Sequence, residues 1–118
     1  MSGDALVEEL REETGEALRV VAEYDRDGYH VRYVRDDVDP KLKRVGDDIY
    51  RDLILEGISR EHLEDLFEAG DLHCTMHRFD ELTAFHFAEE EYSGLFVGVD
   101  SSADVPLATF ADTCWKRL

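Results

Sequence analysis

Inward positions at the start of the chain recur at three- and four-residue spacing, as Leu6, Val7, Leu10, Thr14, Ala17, Leu18 and on to Val21, with Glu8, Glu9, Glu12, Glu13 and Glu16 opposite them. That period predicts an amphipathic helix from Ala5 to about Leu18, which Asp4 is placed to cap. The pattern then changes. Arg19 to Asp25 and Tyr29 to Arg35 are rich in β-branched and aromatic residues and flank Asp25-Arg26-Asp27-Gly28, where Asp27-Gly28 supplies the positive-φ residues of a tight hairpin. Alternation along the second strand puts Tyr29, Val31 and Tyr33 on one face and His30, Arg32 and Val34 on the other. Asp39-Pro40 starts another helix, an N-cap followed by proline in the first turn, whose apolar stripe runs Leu42, Val45, Ile49, Leu53. Gly57 and Ser59 interrupt it, and Ser59 can cap a shorter helix carrying Leu63, Leu66 and Phe67 that Gly70 ends. Residues 40–69 read as one broken helical arm.

Beyond Gly70 the period becomes two. Leu72 to His77 and Leu82 to Phe87 predict a hairpin about Asp80-Glu81, and Ser93 to Val99 a further antiparallel strand after the acidic turn Glu89-Glu90-Glu91. Pro106 opens a last helix with Leu107, Phe110, Ala111, Cys114 and Leu118 on its apolar face. The order is helix, two strands, broken helical arm, three strands, helix. The fold class expected is α+β, a single five-stranded antiparallel sheet with flanking helices. No repeat, low-complexity tract or linker divides the chain, so residues 1–118 are expected to form one domain.

This element order resembles the roadblock/dynein-light-chain and longin group of profilin-like folds. Proteins of roadblock type dimerise and bind small GTPases or associated ATPases, so the resemblance implies a homodimer and a partner of that kind. Asp52-Leu53-Ile54-Leu55-Glu56-Gly57 and Ala69-Gly70-Asp71-Leu72-His73-Cys74 also resemble small proteins of halophilic archaea.

Charge narrows the partners. Among 118 residues, 29 are Asp or Glu and 13 Lys or Arg, a formal net charge of -16. Such a field repels phosphate backbones and anionic lipid surfaces, so neither nucleic acid nor membrane is an expected partner. The acids are scattered over every expected surface, and the bases are mostly Arg, with Lys only at 41, 43 and 116. This manner of being acidic resembles cytosolic proteins of salt-in halophilic archaea, where multimolar salt screens self-repulsion to about 3 Å. No apolar run approaches the roughly 20 residues that span a bilayer, and Met1-Ser2-Gly3-Asp4 lacks the basic and apolar regions of a signal peptide. A cytoplasmic location is expected.

The histidines are the sharpest candidate chemistry. With a two-residue loop at Asp80-Glu81, Met76 pairs with Phe85 and Cys74 with Phe87, so Leu72, Cys74, Met76, Phe85 and Phe87 form one apolar face. His73, His77 and His86 then share the other, with His86 opposite Thr75. Diagonal Cβ separations are on the order of 7 to 8 Å, so His86 with either neighbour could chelate a metal. His73 and His77 lie about 13 Å apart along a strand, too far for one ion. The histidines are expected to be structural or surface residues, with a proton-sensitive patch and a metal site as the lesser readings.

Cys74 and Cys114 show no metal or redox spacing and sit at apolar positions, so both are expected in the core. Asp25-Arg26-Asp27-Gly28 lacks the ligand spacing of a calcium loop and reads as a turn. Glu89-Glu90-Glu91 reads as a solvated acidic turn, because successive side chains point apart. Arg32, Arg35, Lys41, Lys43 and Arg44 are interleaved with Asp36, Asp37 and Asp39, which favours local ion pairs. No phosphate loop, dinucleotide fingerprint or nucleophile elbow is present. The chain is therefore expected to be a non-enzymatic regulatory or scaffold module without a cofactor. The alternatives are a small-molecule sensor lined by Tyr29, Tyr33, Phe85, Phe87 and Phe96, and a histidine-based metal protein.

Overall fold

The computed structural model describes residues 2–90 and 92–116, and side chains from Ala5 onward. Helix α1 (Ser2–Thr14) leads through a 3-10 turn (Gly15–Ala17) into β1 (Leu18–Asp25) and β2 (Gly28–Val34). Helices α2 (Asp39–Ile58) and α3 (Arg60–Phe67) follow, then β3 (Thr75–Arg78), β4 (Leu82–Glu90), β5 (Ser93–Asp100) and α4 (Leu107–Lys116). All pairings are antiparallel in one sheet of order β2-β1-β5-β4-β3. The expected fold class is the one observed.

The sheet is covered on both faces. Against one lie α1 and α4, enclosing Leu6, Leu10, Leu18, Val21, Phe85, Phe87, Leu95, Val97, Val99, Phe110 and Cys114. Each such large apolar side chain contributes roughly 1.5 to 3 kcal/mol by leaving water, so this is the main core. Helix α2 covers the other face, seating Leu53 and Gly46 near Val20, Ala22, Tyr24 and Phe96.

Several local expectations are corrected. Helix α1 stops at Thr14 because Gly15 takes φ +59°, a conformation that ends a helix at little steric cost, and Leu18 and Val21 belong to β1. In the β1–β2 turn only Gly28 has positive φ, +144°, and the Asp27 amide donates to Asp25 Oδ1 at 2.9 Å. The register shifts between Val21 and Ala22, pairing Val21 with Tyr33 but Ala22 with Val31. This bulge at Arg32 turns Tyr33 to the α1–α4 core while Tyr29 and Val31 face α2, so the three do not share a face.

Helix α2 is capped at Val38 without a side-chain bond, and Asp39 is its first residue. It runs unbroken through Gly57, which is buried. Ser59 stands at the cap position expected of it, ending α2 through its backbone amide to Leu55 O and starting α3, but with helical backbone angles its hydroxyl donates back to Leu55 O and makes no side-chain cap bond into α3. Glu68, with φ 49°, ends α3 in place of Gly70. The alternation expected from Leu72 is confined to Thr75–Arg78, so Cys74 does not pair with Phe87. Met76 does pair with Phe85, and Thr75 with His86, as a two-residue loop requires. Phe110 and Cys114 bury the expected face of α4; α1 begins at Ser2, so Asp4 lies within the helix and not at its cap, and Glu91 and Leu118 lie outside the described residues.

Candidate functional site

Two features stand out, a buried polar relay beneath α2 and an open sheet edge beside it. The relay begins at His86 in β4, whose side chain points to the α2 face and is 3% exposed. Its Nε2 lies 2.5 Å from Tyr24 Oη on β1, and its Nδ1 lies 2.8 Å from Glu56 Oε1 on α2. The carboxylate acceptor fixes the tautomer: Nδ1–H donates to Glu56, leaving Nε2 to accept the Tyr24 hydroxyl proton. Burial pushes the His86 pKa below its ordinary value, against the opposing pull of Glu56. Burial, with Glu56 nearby, likewise raises that of Tyr24.

The second oxygen of Glu56 lies 4.0 Å from His77 Nε2 on β3. One carboxylate of α2 thus reaches both of the last two strands. Gly94 leaves the space that Tyr24 fills: a Cβ there would meet Phe87 O and lie 2.6 Å from Tyr24 Oη. Tyr24 also meets Tyr50 edge-on, and Tyr50 donates to Asp25 O at 2.5 Å. Farther along, Arg60 donates to Ala88 O while Glu64 accepts the Leu72 amide at 2.6 Å.

The shared histidine face is corrected. His73 precedes β3 and stacks on Trp115 of α4, ring centroids 4.3 Å apart and planes 11° from parallel. His86 is sealed beneath α2, and of the two exposed histidines His73 lies against α4 while His77 is on β3, so the three form no surface patch. Among the described residues, no three His, Cys, Asp or Glu side chains are placed to hold a metal ion. The space beside His86, bordered by Glu56, Arg60, Cys74 and Thr75, is about 10 Å³, near the size of one water. The relay therefore ties α2 to β1 and β4 and has no room for a substrate against the imidazole.

The sensor aromatics are divided by the sheet. Phe85, Phe87 and Tyr33 pack on the α1–α4 side, and Tyr29 and Phe96 lie under α2. The gap beneath α2 is about 20 Å³, so these residues pack together and do not line a ligand chamber. Cys114 is buried and Cys74 half-buried, and desolvation pushes the Cys74 thiol up to about 11. Arg35 pairs with Asp37 and Lys43 with Asp39 as the interleaving implied, but Arg35 and Arg19 also converge on Asp100 of β5.

Of the two edge strands, β2 and β3, the one beside the relay is β3. Met76 is exposed there, as is Phe79 in the following turn, at 58%. On α2, Leu55 and Ile58 flank Glu56 in sequence and are exposed too. Sequence reasoning missed Glu56 and Tyr24. The signal was present, since Glu56 stands three residues after Leu53 on the buried stripe of α2, where a carboxylate needs a partner.

Solved structures of low sequence identity share this fold. The chain is similar to the Roadblock/LC7 domain from Streptomyces avermitilis, at 15% identity over 97% of this chain and 89% of that one, with a TM-score of 0.56. It is similar to Myxococcus xanthus MglB at 13% identity, covering 98% and 86%, TM-score 0.56. The gliding protein MglB from Thermus thermophilus gives 15% identity, 98% and 87%, and 0.54. No curated protein matches the chain. The model of the domain of unknown function DUF7522 matches residues 4–118, and the chain belongs to that family.

Proposed function

We propose that this protein is a non-enzymatic regulatory or scaffold module that homodimerises along β3 and binds a protein partner, a small GTPase or related ATPase being the class its roadblock-like fold implies. The observation that carries the reading is the β3 edge, four residues long, with an unpaired backbone rim and exposed Met76 and Phe79 beside it. An edge of this kind invites another strand, and a second copy covers both apolar side chains in one symmetric contact. Residues 1–118 act in this reading as one domain, in a salt-rich cytoplasm that screens the charge of -16.

The test is the native mass in multimolar KCl, by light scattering during gel filtration, of the wild type and of Met76→Lys/Phe79→Lys. Both positions are exposed, so the variant keeps its fold while placing like charges across the contact. A wild-type dimer that becomes a monomer in the variant is the expected result. A monomeric wild type, or a variant that stays dimeric, overturns it.

A further inference from the structure

The face of α3 is a separate, exposed apolar surface. Leu63, Leu66 and Phe67 fall at i, i+3 and i+4 of a two-turn helix and form one stripe, with Leu66 66% and Phe67 72% exposed. Beside them runs a groove of about 310 Å³ lined by Leu63, Phe67, Ala69, Gly70 and Leu72. Its walls are fixed. Arg60 anchors the start of α3 to Ala88 O, Glu64 accepts the Leu72 amide, and the Glu68 amide donates to Glu64 O at 3.1 Å. A monomer rarely leaves such a stripe in water unless something binds it.

Charge selects the occupant. The two charged residues lining the groove are Glu64 and Asp71; Glu61, Asp65 and Glu68 stand on the same segment, and residues 61–71 contain no Lys or Arg. Arg60, the nearest cation in sequence, is turned inward to Ala88 O and Glu64. A second copy would bring the same carboxylates against these, whereas a helix with Lys or Arg flanking an apolar row meets both the stripe and the field. We propose that the α3 groove docks a basic amphipathic helix of a partner protein. This rests on the reading of the chain as a binding module, and not on its dimerisation.

The probe is a synthetic amphipathic peptide with leucines on one face and lysines on the other. It is titrated into the full chain at the lowest KCl concentration that keeps native circular dichroism. Controls are the same peptide with glutamates for lysines, and a scrambled lysine peptide of equal charge without an apolar face. The expected result is binding by the lysine peptide more than about tenfold tighter than by either control, and weakened by a similar factor in Leu66→Ala/Phe67→Ala. Equal binding of the scrambled peptide, no binding, or an unaffected double variant overturns the proposal. So does a double variant whose native mass falls to that of a monomer, which would make a second copy the occupant. Native mass read on the same samples separates the two readings: a dimer that ignores the peptide sinks only the groove, and a monomer that binds it sinks only the β3 dimer.

Discussion

His86 holds a neutral imidazole between a hydroxyl and a carboxylate, and its protonation bears on the stability of the whole α2 face. Its folded pKa is depressed below the ordinary value near 6.5. The unfolded chain therefore takes up a proton first, so stability present above that ordinary value is lost as pH falls toward the folded pKa. The urea midpoint of the wild type should drop as pH falls below the ordinary histidine value, and His86→Gln should remove part of that slope; parallel profiles contradict the assignment. Gly94→Ala is expected to destabilise by about 1 to 3 kcal/mol, because its methyl meets Phe87 O and the Tyr24 hydroxyl, a loss read in the same urea titrations. The relay was only half legible in the sequence. Alternation correctly placed His86 opposite Thr75 and away from Phe85 and Phe87. What it could not show is that α2 lies over that face, since burial of a strand's second face depends on a helix thirty residues away in the chain.

At the scale of elements, periodicity carried the order of helices and strands because long amphipathic runs have one way to bury their apolar side. It failed where backbone geometry, not hydrophobicity, decides: the bulge that splits Tyr29 from Tyr33, the early end of α1 at Gly15, and the late start of β3. The last of these removed His73 from the expected patch. Ion pairing shows the same division. The pairs within 35–43 were legible from spacing, whereas Asp100, reached by Arg19 at 3.0 Å and Arg35 at 2.7 Å, joins segments far apart in sequence. Those two guanidiniums hold the Asp100 carboxyl below the usual carboxylate range. Asp100→Asn is expected to lower stability by about 1 kcal/mol, since the cluster is partly open to solvent. The loss should shrink in high salt; thermal melts that show no loss at low salt would contradict this role for the cluster.

For the whole molecule, 29 acidic residues against 13 basic ones set the conditions under which any of these contacts form. Self-repulsion opposes both folding and association, so the melting temperature is expected to rise steadily with KCl into the molar range. A melting temperature independent of salt would show that the charge does not govern stability. The same repulsion works against the proposed dimerisation through the β3 edge, because two chains of charge -16 would meet there. Amide hydrogen exchange at Thr75–Arg78, followed against protein concentration in multimolar KCl, tests that claim most directly. The account predicts that the outward-facing β3 amides become more protected as concentration rises, while those of β5, already paired on both sides, stay constant. Outward β3 amides that exchange as freely at high concentration as at low would contradict it.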